Sequence, residues 1–84
     1  MADLQAAFDS AAVSSRSLSE RPDNATLLKL YGLYKQATVG DVSDKKPGFG
    51  DMIGRAKSDA WNALKGTAKD QAMQQYIDLI DSLS

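Results

Sequence analysis

Tyr31 to Asp41 of this chain reads YGLYKQATVGD. The stretch has the composition of a helix approaching its end, and Gly40 suits the left-handed position that stops one. On a helix each residue turns by about 100°. Tyr34 therefore falls about 60° to one side of Tyr31 and Lys35 about 40° to the other, so all three share one ~100° arc. Each tyrosine supplies a flat ring and a hydroxyl. The lysine adds a charge one turn away. Such a face suits a ligand that is both aromatic and phosphorylated. The spacing by itself favours a second reading: both rings pack inward while Lys35 lays its stem across them and keeps its ammonium in water.

Working outward, no segment alternates in the period of a strand, and the apolar steps are helical. A first helix is expected from about Asp3 to Ser17, with Leu4, Phe8, Ala11, Ala12 and Ser15 along one face. Pro22 in ERPDN breaks it, and Asp23 or Asn24 offers an oxygen to the first free amides of the next helix. That second helix is expected from about Asn24 to Val39, with a wide apolar face of Leu27, Leu28, Leu30, Tyr31 and Tyr34. DVSDKKPGFG then reads as a solvated turn region. A third helix is expected from about Asp51 to Lys65, with Asp51 at its positive end. Met52, Ala56, Ala60 and Leu64 mark its face, with Trp61 beside them. Gly66 stops it. Thr67 is placed to cap a fourth helix in a capping box with Asp70, running to about Leu83 on an apolar face that includes Ala72, Met73, Tyr76 and Ile80. The fold class is all-α, a four-helix bundle in one domain over residues 1–84.

The chain has 84 residues and no cysteine, so no disulfide supports the fold. A domain this small buries only about 60–65% of its unfolded surface. MADLQAAFDSAA has no basic region followed by an apolar run, so a secretory signal is not expected. No apolar stretch approaches the ~18 residues of a membrane span. The expected setting is the cytoplasm, without stable membrane insertion. A net charge of -1 speaks against nucleic acid as a partner. The charge is uneven, however. Residues 31–69 carry seven basic and four acidic side chains, and the remainder three and seven. One part can host a small anion, although small proteins often show such unevenness by chance. There is no histidine either, which removes the commonest general base and, with cysteine, two usual metal ligands. Ser58 and Asp59 are adjacent, and neighbouring helix positions point apart. Binding rather than catalysis is expected, with no metal.

Two further features admit alternatives. Lys57 precedes Trp61 by one turn, either as a phosphate donor beside a ring or as a solvated lysine near a core anchor. Tyr76, one turn before Ile80, fits the core or a pocket wall.

YGLYKQATVGD, KPG, GRAKSDAWNALKGT and AMQQYI occur in that order. Together they resemble the acyl-CoA-binding protein family from Phe8 to about Ile80. The resemblance implies an up-down-down-up bundle with a long link between helices two and three. It also implies non-covalent binding of medium- and long-chain acyl-CoA thioesters in a shallow bowl. Tyr31, Lys35 and Lys57 would hold the 3′-phosphate of the adenosine. Tyr31, Gly32, Leu33, Tyr34 and Lys35 would line the nucleotide, and Tyr34 and Tyr76 would add to the nucleotide and pantetheine wall. Ala12, Leu27 and Leu28 would flank the acyl chain. Arg16 stands where the family often has a lysine near the ligand.

Two positions depart from the family pattern. Ser58 replaces an aromatic of AKWDAW. Ile53 stands on the acyl or pantetheine side where a ligand-contacting lysine is often found. No cofactor is implied beyond the acyl-CoA ligand itself. The implied partners are that ligand and enzymes that use it, and the expected state is a monomer. Two rivals differ in class. An acyl carrier protein would need its Asp-Ser-Leu in mid-chain, whereas DSL here is Asp81-Ser82-Leu83, near the end of the sequence. A helical protein-interaction module would ignore CoA esters.

Overall fold

The computed structural model describes residues 3–41 and 50–83, and these form four helices with no strand among them. Asp3 opens α1, Leu4–Ser14, by accepting the Gln5 N–H at 3.1 Å, which satisfies one of the free first-turn donors. The α-helix stops short of Ser17. The Ser15 hydroxyl donates to the Ala12 carbonyl at 2.6 Å, and Ser15–Ser17 tighten into a 3-10 turn. Serine side chains compete in this way with the regular helical ladder.

Asp23 caps α2, Asn24–Thr38, by accepting the Thr26 N–H at 2.7 Å. At the other end the N–H groups of Val39 and Gly40 both donate to the Lys35 carbonyl. Gly40 takes φ +98°, which only glycine adopts without strain. The expected turn region that follows lies mostly outside the described residues.

Asp51 caps α3, Met52–Asn62, through the Gly54 N–H at 2.9 Å. The helix ends before Lys65 because its last turn winds tighter. Leu64, Lys65 and Thr67 donate to Trp61, Asn62 and Leu64 respectively, each three residues back. α4, Lys69–Leu83, corrects one expectation. Its first bond runs from the Ala72 N–H to the Ala68 carbonyl, so Ala68 holds the cap position and not Thr67. Thr67 belongs to the preceding turn: its N–H donates to Leu64 and its carbonyl accepts Gln36 Nε2 at 2.7 Å.

α4 packs on α1 and α2, and α3 packs on α2. Phe8, Leu33 and Ile80 are almost fully buried, and Leu30, Ala72, Met73 and Tyr76 complete the core around them. Burial contributes about 1.5–3 kcal/mol for each large apolar side chain. Residue pairs fix the directions. Phe8 meets Tyr34, while Ala12 and Val13, later in α1, share a hollow with the earlier Leu27 and Leu30, so α1 and α2 are antiparallel. Gln36 meets Thr67 just ahead of α4, and the earlier Tyr34 meets the later Tyr76, so α2 and α4 are antiparallel too. α3 is parallel to α2: Leu28 shares a wall with Ile53 and Ala56, Tyr31 meets Lys57, and Gly32 meets Ala60. The topology is up-down-down-up. At Gly32 a Cβ would lie 2.8 Å from the Ala60 carbonyl oxygen, so the closeness of the two backbones requires glycine.

Candidate ligand-binding site

Tyr31 is the centre of the site. Its ring is half-buried on α2. Lys35 Nζ, one turn along the same helix, lies 6.0 Å from the ring centroid, and Lys57 Nζ, from α3, lies 5.3 Å away. Cation–ring contacts of this kind contribute about 0.5–1 kcal/mol at exposed sites. Lys35 also stands 5.5 Å from the Trp61 ring. Trp61 is buried, and its indole N–H donates to the Gly40 carbonyl at 2.8 Å. The tryptophan is therefore a core anchor whose ring also backs Lys35.

Tyr34 stacks on Phe8, with centroids 5.5 Å apart and planes 28° from parallel, and keeps 43% of its surface exposed. Tyr76 meets Phe8 edge-on at 5.1 Å and Tyr34 at 6.1 Å. It is buried, yet it also lines a hollow, so it serves both the core and the wall.

Two hollows flank Tyr31. One, of about 500 Å³, lies between the end of α1 and α2; Ala12, Arg16, Leu27, Tyr34 and Tyr76 are part of its wall. The other, of about 430 Å³, lies between α2 and α3, with Arg21, Leu28, Ile53 and Lys57 in its wall. Leu27 and Tyr31 line both, so the two hollows form one bowl with a ridge across it. The bowl is largely apolar, with cations at its edges.

The structure brings together Tyr31, Tyr34, Lys35, Lys57, Tyr76, Ala12, Arg16, Leu27, Leu28 and Ile53 in and around this bowl. It places Gly32 and Leu33 elsewhere. Leu33 has no exposed surface and sits in the core, and Gly32 is buried against α3. Helical rotation turns these two away from the face that Tyr31 presents. Ile53 is 72% exposed on the rim, and Ser58 is half-buried on α3.

One cluster escapes a reading of the sequence. Gln36 is fully buried, and its Nε2 donates to the Thr67 carbonyl and, at 2.8 Å, to Asp41 Oδ1. The same Asp41 oxygen accepts the Gly66 N–H at 2.8 Å. The Gly66 amide, then Gln36, and more weakly the charge of Lys65 hold the Asp41 carboxyl below the ordinary carboxylate range. Gln36 Oε1 has no hydrogen-bond partner among the described residues. This hub ties the end of α2 to the turn between α3 and α4, next to the Gly40 carbonyl that Trp61 meets. The available signal was a glutamine on the inward face, one turn after Leu33.

A family model described as Acyl CoA binding protein matches residues 5–80. The chain belongs to the acyl-CoA-binding protein family. It is 49% identical over 76 residues to Acyl-CoA-binding protein homolog 1 of Caenorhabditis elegans, covering 90% of this chain and 88% of that one. Acyl-CoA-Binding Protein 2 of Oryza sativa superposes with a TM-score of 0.92 at 42% identity, over 96% of this chain and 90% of that chain. The ACBP of Moniliophthora perniciosa gives a TM-score of 0.84 at 40% identity, over 94% of this chain and 76% of that chain. The four-helix bundle is thus the family's fold. Among the described residues no three His, Cys, Asp or Glu side chains gather as a metal site.

Proposed function

We propose that this protein binds medium- and long-chain acyl-CoA thioesters non-covalently and carries them as an intracellular pool. The observation that carries this reading is the convergence of Lys35 and Lys57 on the Tyr31 ring at the edge of an apolar bowl. An acyl-CoA has the matching halves, a multiply anionic head with an aromatic base and an oily tail.

The tail drives occupancy. Removing each methylene from water is worth about 0.8 kcal/mol, close to fourfold in affinity when burial is complete. The open bowl lowers that slope. Ala12, Leu27, Leu28 and Ile53 provide the apolar contact. The head supplies selection. Lys35, Lys57 and the Tyr31 hydroxyl take the 3′-phosphate, each charge-assisted bond contributing about 1.5–3 kcal/mol. Tyr34 and Tyr76 form the wall beside nucleotide and pantetheine, and Arg16 meets the remaining anionic groups. Gly32 and Leu33 support this face from behind.

No step of this activity needs acid–base chemistry, and the chain has no histidine to supply it. Residues 1–84 act as one acyl-CoA-binding unit, a monomer that supplies acyl-CoA-using enzymes. No helix among the described residues is long and apolar enough to cross a membrane, and the working place we assign is the cytoplasm. Ser82 is unsuited to carry a phosphopantetheine arm: it lies in the last turn of α4, its hydroxyl donating to the Leu79 carbonyl at 2.7 Å.

A thermal melt with palmitoyl-CoA tests the reading. A ligand that binds only the native state raises the melting temperature with concentration. An unchanged melting temperature would contradict the proposal and favour a protein-interaction module.

A further inference from the structure

The hollow between α2 and α3 has two unlike ends. Because the two helices run parallel, position along α2 measures position along the hollow. Tyr31 and Lys57 stand at one end. Leu28, Ile53 and Ala56 wall the middle. Asn24, the first residue of α2, lines the other end about 10 Å from Tyr31 along the helix, and Arg21 joins it from the preceding linker.

A plain hydrocarbon tail laid along Leu28, Ile53 and Ala56 with its thioester end toward Tyr31 would point its methyl end at Arg21. A methyl group gains nothing from a guanidinium. A carboxylate does, because the fork of N–H donors matches its two oxygens. Of the two acids nearest in sequence, Glu20 directly precedes Arg21 and is exposed to solvent, and Asp23 is already engaged by the Thr26 amide. The arginine stem can also lie against the apolar wall, so the same residue accommodates an ordinary tail.

We infer that this groove accepts acyl-CoA thioesters whose chain ends in a second carboxylate, with Arg21 as the residue that meets the far end. The inference rests on the acyl-CoA reading above and names a substrate class within it.

The test is calorimetric titration of dodecanoyl-CoA and of its ω-carboxyl counterpart, dodecanedioyl-CoA, against the wild type, Arg21→Gln and Arg21→Lys. The quantity read is the ratio of the two affinities. Arg21→Gln should shift that ratio against the diacid ester by about tenfold, while Arg21→Lys, which keeps the charge and loses the fork, should fall between Arg21→Gln and the wild type. A ratio unmoved in Arg21→Gln overturns the inference and leaves the acyl-CoA reading standing. Failure of dodecanoyl-CoA itself to bind the wild type overturns both. Circular dichroism on each variant separates a lost contact from a lost fold.

Discussion

The ammonium of Lys57 stands 5.3 Å from the centroid of the Tyr31 ring, a contact made between two parallel helices. Lys35 approaches the same ring from its own helix. The ring thus holds two positive charges in place before a ligand arrives, and that preorganisation lowers the ordering cost of binding.

Removing either charge removes a contact to the phosphate. Lys35→Ala and Lys57→Ala should each weaken palmitoyl-CoA binding by about tenfold or more. Neither side chain belongs to the core, so both variants should stay folded and cooperative in thermal melts. Calorimetry checks the affinities, and wild-type values in both variants would remove the phosphate assignment.

Gly32 controls how closely α3 approaches. Alanine there would press a methyl group against the Ala60 carbonyl. Overpacking of this kind costs about 1–3 kcal/mol. In a domain of this size each kcal/mol lowers the melting temperature by about 4–8 °C. The displaced α3 should also carry Lys57 away from Tyr31, so Gly32→Ala should weaken ligand binding as well. Scanning calorimetry and a titration together check this, and an unshifted melting temperature would contradict it.

Asp41 gives the fold a dependence on acid. Its carboxyl is held below the ordinary range, first by the Gly66 amide and then by Gln36, so folding favours the charged form. The resulting stability is whole above the unfolded pKa of about 4 and is lost as pH falls through the lower folded value. Asp41→Asn should therefore melt below the wild type at neutral pH, with the gap closing in acid. Melts between neutral pH and about pH 2.5 check the trend. A gap that widens in acid would contradict it. Asp23, lowered by its bonds with Thr26, acts in the same sense.

How much of this is legible in the sequence depends on distance along the chain. Tyr31 and Lys35 share a helix, so a turn angle alone puts them together. Lys57 sits on another helix, and residue spacing could not bring it to Tyr31; only the family resemblance did. The caps at Asp23 and Asp51 are local and legible. The misplaced cap at Thr67 is instructive, because its carbonyl is claimed by Gln36, 31 residues away. The burial of Leu33 inside a run that resembles a ligand-lining segment follows from rotation, since neighbouring positions on α2 face the core and the bowl in turn. The Gln36 hub stays hidden because it joins Gln36 and Asp41, at the end of α2, to Gly66 and Thr67 in the turn before α4, far along the chain.

The most direct test is a competition titration of palmitoyl-CoA against free palmitate and free CoA. Two or more charge-assisted contacts to the head should favour the thioester over palmitate by at least about a hundredfold, with CoA alone also far weaker for want of a tail. Palmitate displacing palmitoyl-CoA on equal terms would contradict the account.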